Sequence, residues 1–210
     1  MTSPIAMQQT IMFDGLLAYA YFQEHGPVVE KSVGHLSIEN KFDFTPMPIK
    51  LNNDGYFMAS WLFYDQTYAS EQVHTSLKKW DEASDYMSDF GKSKRQVAID
   101  RGEFKTTQIP LRIINTPTCW FYFQSNNVNE VEYLINKHIT GIGKKISRGY
   151  GFFSKFDIEP CNNIFEEKII RPIPVKNIDM QNMNGIRRYE YRAWKPPYWL
   201  PENFTICRVE

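Results

Sequence analysis

The 210-residue chain carries 24 Lys/Arg against 24 Asp/Glu, and 42% of its residues are hydrophobic and 15% aromatic. This is enough apolar material for one large domain or two small ones packed together, and no Ser/Gly-rich linker or low-complexity tract divides it. The zero net charge gives no global sign of a nucleic-acid partner, the apolar stretches are too short to cross a bilayer, and no cationic-then-apolar leader opens the chain. Cys119, Cys161 and Cys207 are odd in number and widely spaced, which argues against a disulfide framework and a zinc site. A cytoplasmic protein with small buried cysteines is expected.

In chain order, Asp14 is placed to cap a first helix through Phe22 that stops near Gly26-Pro27. Strand-like runs follow around Val28 to Ile38, Phe42 to Leu51, and Gly55 to Tyr64. Residues Glu71 to Ser93 are polar and charged and predict a projecting arm or an irregular helix. A second β region is expected through Arg95 to Arg101, Phe104 to Ile114 and Thr118 to Gln124. Apolar residues then recur at helical spacing from Val128 to Ile139, after the cap-like run Ser125-Asn126-Asn127, and Gly141 fits the helix stop. Tyr150 to Ile158 alternates like a strand. The last fifty residues, rich in proline and aromatics, predict a tail that wraps on the rest.

Between the second helix and that strand lies Gly141-Ile142-Gly143-Lys144-Lys145-Ile146-Ser147-Arg148-Gly149-Tyr150-Gly151, with four glycines, three cations and no acid. Glycines permit positive φ and close approach to a ligand, and the cations and turning amides around them suit a phosphate backbone. The order helix, loop, strand reverses that of a dinucleotide-binding fingerprint. No glycine lies five residues before Gly143-Lys144 and no Ser or Thr follows Lys144, so a P-loop is excluded, and no kinase motif follows. A basic surface turn with glycine caps is the bland alternative.

Charge is unevenly spread. Lys137 to Lys155 holds five Lys/Arg and no acid, Lys92 to Arg112 six against two, and Arg187 to Lys195 four against one, whereas Glu71 to Asp89 carries five acids and two lysines. A basic face and an acidic patch follow. The predicted elements are compatible with an α+β, ferredoxin-like β-α-β-β-α-β unit bearing insertions.

The helix, glycine-rich cationic loop and strand resemble the signature of the RAMP superfamily of CRISPR-associated RNA-binding proteins. Phe13-Asp14-Gly15-Leu16-Leu17-Ala18-Tyr19-Ala20, Asp100-Arg101-Gly102-Glu103-Phe104-Lys105, the Gly143 to Gly151 loop, Arg171-Pro172-Ile173-Pro174 and Arg192-Ala193-Trp194-Lys195-Pro196-Pro197-Tyr198-Trp199 narrow this further. Together and in this order they resemble the type IV CRISPR Cas-five-like subunit over nearly the whole chain. The resemblance implies an RRM-like RAMP domain over residues 1–160 with an insertion around 65–110, and a C-terminal tail, 161–210, packed on it. It implies a non-catalytic subunit of a Cascade-like ribonucleoprotein, acting in defence against foreign nucleic acid. Its partners would be the 5′ handle of the guide RNA, a Cas-seven-like backbone subunit, a large subunit and, within the complex, target DNA. No cofactor, metal or membrane is implied. A RAMP domain opens with a strand, and only Met1 to Met12 precede Phe13, so that strand is short or the sequence starts inside it.

The candidate RNA contacts are Lys144, Lys145 and Arg148, with Ser147, Tyr150 and the amides around Gly141, Gly143, Gly149 and Gly151. Arg101 and Lys105, near Lys92, Lys94 and Arg95, form a second basic group, and Arg187, Arg188 and Arg192 a third. Tyr198 and Trp199 are candidates for base stacking, although Pro196-Pro197 favours core packing for Trp199. Two rival functions are compatible with the sequence. One is a RAMP-type metal-independent endoribonuclease using His25 or His35, with His138 beside the loop suited to capping its helix or touching a phosphate. The other is an enzyme for a phosphorylated small molecule, for which the sequence offers no carboxylate pair, metal cluster or nucleophile motif.

Overall fold

The computed structural model describes residues 1–27, 42–65, 70–77, 108–162, 170–175 and 188–209. Among these residues it is a mixed α/β structure with two α-helices and three small antiparallel sheets. The helices are α1, Phe13–His25, and α2, Val128–His138. The strands are β1 (Ile5–Met7), β2 (Phe63–Tyr64), β3 (Ser70–Leu77), β4 (Gln108–Asn115), β5 (Cys119–Trp120), β6 (Ile173–Pro174), β7 (Tyr189–Ala193) and β8 (Phe204–Arg208).

In the first sheet β1 pairs with β4 and β4 with β3, in registers Ala6 to Ile113 and Val73 to Arg112. The free side of β1 takes one further antiparallel bridge, Ala6 to Lys144, in the loop after α2. A short strand therefore precedes the first helix, at the edge of this sheet, with β4 as its middle strand. The second sheet is β2–β5, and the third runs β6–β8–β7.

α2 forms as its pattern predicts. Val131, Leu134 and Ile135 make the buried face, and Asn127 caps it by accepting from the Glu130 amide while its own amide group donates to the Glu130 carboxylate. The helix nevertheless ends at His138, in extended backbone at Ile139 rather than at Gly141. α1 is apolar around most of its circumference. Phe13, Leu17, Ala20 and Tyr21 form one core with α2 and with Phe44, Met47, Ile49, Phe57 and Ala59. Ile5, Met7, Leu62 and Ile114 form a second under β1. At roughly 1.5–3 kcal/mol for each fully buried large side chain, these two clusters are the main favourable term.

Asp14 does not cap α1. The N-cap is Met12, without a side-chain bond, and Asp14 lies inside the first turn at 0% exposure. It shares a face with Leu17, Ala18 and Tyr21, all buried, so the helix carries a carboxylate into the interior. Arg171 meets it there with Nη2 3.2 Å from Oδ2, and the Tyr198 hydroxyl donates to Oδ1 at 2.6 Å. The guanidinium also donates to the carbonyls of Phe57, Ala59 and Trp194 and lies over the Tyr56 ring.

Other expectations are corrected. The start of the presumed arm, residues 71–77, belongs instead to β3, which pairs along its whole length with β4. The runs from Phe42 to Leu51 and Tyr150 to Ile158 are irregular apart from isolated bridges, because their aromatics turn inward to pack on the α1–α2 core instead of alternating across a sheet. The C-terminal segment, read from the sequence as a tail that wraps on the rest, contributes the strands of the third sheet. Cys161 is exposed, Cys119 half-buried and Cys207 buried, all as free thiols, so the uniform packing role does not hold. The strands expected at Val28 to Ile38 and Arg95 to Arg101 lie outside the described residues.

Two predictions follow from the buried and interhelical charges. Asp14→Ala leaves the Arg171 guanidinium uncompensated and is expected to cost ~3–5 kcal/mol in denaturant unfolding, against about 1.5–3 kcal/mol for Tyr198→Phe, which removes one bond to a charged group. Glu24 on α1 accepts from Lys137 and meets His138 on α2, and these bonds lower its pKa to about 2 from an ordinary 4.5. A depressed carboxylate pKa contributes stability above the unfolded value that is lost as pH falls through the folded one. The stability difference between wild type and Glu24→Gln should therefore shrink between pH 4.5 and about 2, as read from urea midpoints. Asp14 has the opposite sign, since burial raises its pKa despite Arg171, and its ionisation weakens the fold as pH rises above 3.8.

Candidate nucleic-acid interface

The glycine loop is pinned to β1 by its own backbone. The Lys144 amide donates to Ala6 O at 2.6 Å, the Gly151 amide to Pro4 O at 2.8 Å, and the Ile142 amide to Gly151 O at 2.9 Å. Both ends of the loop are thus drawn together beside the first strand. Gly143 (φ +97°) and Gly151 (φ +73°) make this possible, because a Cβ at either would collide with a carbonyl oxygen, of Ala6 and of Ile142 respectively.

Between those anchors the chain bulges outward. Lys145 takes a left-handed conformation (φ 61°) and starts a single 3-10 turn, Ile146–Arg148, which Gly149 closes at φ 92° in open space. Ser147, Arg148 and Gly149 are exposed, Lys145 and Tyr150 half-buried, and Lys144 exposed with Nζ 2.7 Å from Gln8 Oε1. The amides of Ile142, Lys144, Arg148, Gly149, Tyr150 and Gly151 already donate within the protein. The loop therefore presents chiefly its cationic side chains, with fewer free amides than the glycine count suggests. Gly141 packs closely on the Gly151 carbonyl at the loop base.

Lys144 leads to a second feature. Gln8, which it holds, adjoins Gln9-Thr10-Ile11-Met12, the β1–α1 connection, and this connection forms one wall of a cleft of about 420 Å³. Glu190, Tyr191, Arg192 and Ala193 of β7 form the other wall, with Tyr198 and Phe204. Arg188 and Arg192 share one carboxylate, with nitrogens 2.6 and 3.1 Å from Glu190 oxygens, so the group keeps a net positive charge. Two sequence-distant cations, Lys144 and Arg192, are therefore both neighbours of the β1–α1 connection, one through Gln8 and the other as part of the cleft that the connection lines.

Other candidates have different surroundings. Tyr198 is committed to α1: its ring packs on Gly15, and burial and the Asp14 carboxylate hold its hydroxyl well above the ordinary phenol pKa. Trp199, expected in the core, is 52% exposed beside Tyr19, because Tyr198 takes the inward position of the pair. His25 lies against the Tyr21 ring at 4.4 Å, and His138 bonds Glu24 at 2.6 Å rather than capping its helix. Arg101, Lys105 and Arg187 lie outside the described residues, as do His35, Lys92, Lys94 and Arg95. Tyr191, Gln9 and Thr10 were not anticipated. Tyr191 is the most exposed large aromatic among the described residues, and its signal was the alternation in Tyr189-Glu190-Tyr191-Arg192.

Among the described residues no cluster of three or more His, Cys, Asp or Glu could hold a metal ion, and no helix is long and apolar enough to cross a membrane. No match to an individual curated protein was found. The whole length, residues 1–210, matches the family described as CRISPR type IV associated protein Csf3, and the chain therefore belongs to that family, the Cas-five-like subunits of type IV CRISPR systems.

Proposed function

We propose that this subunit binds the 5′ handle of a guide RNA without cutting it, inside a type IV effector ribonucleoprotein that acts against foreign nucleic acid. The observation that carries this reading is the outward cationic bulge, Lys144 to Gly149, whose base is fixed by two glycines that admit no side chain, Gly143 against Ala6 of β1 and Gly151 against Ile142. A rigid base with exposed cations holds charge at fixed spacing, which suits a flexible single strand better than a solvated turn does.

We further read the first sheet and helix pair as a ferredoxin-like RAMP domain. Support comes from connectivity: β1, α1, β3, β4, α2 and then the Lys144 bridge, with spatial order bridge, β1, β4, β3. This is a β-α-β-β-α-β unit whose last strand is reduced to one bridge. The irregular segments and third sheet offer surface for neighbouring backbone and large subunits. A binding role is favoured over cleavage because His25 and His138 are engaged with Tyr21 and Glu24, each within or between the helices.

Replacing Lys144, Lys145 and Arg148 together with alanine should weaken RNA binding and flatten its salt dependence, by a log-log slope of about 0.7 per lost single-strand phosphate contact. An unchanged slope in the triple variant would make the loop a structural turn. Gly143→Val should act differently, lowering the melting temperature by displacing β1, while Gly149→Ala meets no neighbour and costs only the left-handed strain of about 1–2 kcal/mol. Labelled precursor RNA incubated with the protein in EDTA across several pH values should stay intact. Specific cleavage abolished by His25→Ala or His35→Ala would move the protein to the endoribonuclease branch.

A further inference from the structure

We propose that the cleft between the β1–α1 connection and β7 receives one unstacked nucleotide of the bound strand, with its base on Tyr191 and its phosphate at the Arg188–Glu190–Arg192 rim. This rests on the RNA-binding reading above and adds the residues that read the strand. The cleft's 420 Å³ falls within the roughly 300–1,000 Å³ range of small-ligand sites, room for a nucleotide and too little for a duplex.

Its walls divide by chemistry as a nucleotide does. The Tyr191 ring, 71% exposed, leans on Phe204 with ring centroids 5.8 Å apart, so its position is supported from within the sheet while it remains open to stacking. Gln9 and Thr10, which line the same cleft, carry an amide and a hydroxyl that each offer a donor and an acceptor, the groups needed to meet a base edge. At the rim two guanidiniums share one carboxylate, which leaves one positive charge for a phosphate. An apolar ligand would strand these polar groups, and a bare anion would leave the aromatic wall unused. Lys144, held on Gln8 next to Gln9, places one cation of the glycine loop beside the same connection that lines the cleft.

The test uses the complete chain in the ribonucleoprotein reconstituted from the purified protein subunits and synthetic guide RNA that carries 5-iodouridine at one position at a time. Irradiation should give a cross-link to Tyr191 from one position, kept in Tyr191→Phe and reduced at least tenfold in Tyr191→Ala. The salt slope of binding should be unchanged in both, since the ring contacts no phosphate. Tyr191 is exposed enough that neither substitution threatens folding. If wild type retains no RNA, the general reading fails and this proposal with it. RNA retained with the loop-dependent salt slope, but with no cross-link to a cleft residue, overturns this proposal alone. So does a Tyr191→Ala particle that sheds a protein subunit while its cross-links persist, because the cleft then docks protein rather than a nucleotide.

Discussion

Everything in this structure depends on one buried guanidinium. Arg171, 1% exposed, holds the carbonyls of Phe57 and Ala59, the Asp14 carboxylate on α1, and the carbonyl of Trp194 beyond β7. Segments far apart in the chain meet on one planar fork, a geometry that a lysine ammonium cannot reproduce. Desolvation opposes the pairing, and the raised Asp14 pKa reports that opposition, so the net stabilisation is far smaller than the bare attraction. What the network imposes is register. A C-terminal segment docked out of place would leave a carboxylate and a guanidinium buried apart, and such a state is strongly disfavoured.

That register creates the candidate interface. Because Tyr198 and Arg171 pull the third sheet onto the start of α1, β7 comes to face the β1–α1 connection across a cleft. Gly15 permits the approach, since its missing side chain lets the Tyr198 ring lie on the helix. On the other side of the connection the glycine loop closes on β1 through the same kind of contact, backbone against backbone with no room for Cβ. Both features are built from residues that touch protein alone, while the cations and Tyr191 project from them. Rigid support and exposed chemistry are thus carried by different residues within the same short segments.

The segments that mark the family divide accordingly. Asp14, Arg171 and Tyr198 come from three of them and serve the buried network, whereas Lys144, Lys145 and Arg148 come from a fourth and face outward. Recognisable sequence in this chain therefore records the docking of the C-terminal sheet as much as the exposed cationic loop. A motif match alone does not separate the two roles.

Local sequence determined α2 and its cap, the presence of α1, the strand at β4 and the cationic glycine loop, because each rests on short-range periodicity, capping or φ preference. An aspartate before an apolar run carries the local signal of a cap, but Asp14 lies inside the first turn. Its i, i+3, i+4 and i+7 alignment with Leu17, Ala18 and Tyr21 pointed to the buried face, but only a cation arriving from residue 171 makes burial tolerable there. Tertiary structure likewise decided that residues 70–77 form a strand, since polar residues become β only when a partner such as β4 satisfies their backbone. It decided that Tyr198 rather than Trp199 turns inward, because a phenol can donate to the buried Asp14 and the neighbouring indole does not occupy that place. The loop's cations were legible as chemistry, but which glycines fix it and which amides remain to donate were set by β1, whose backbone lies against the loop although some 140 residues separate them in the chain.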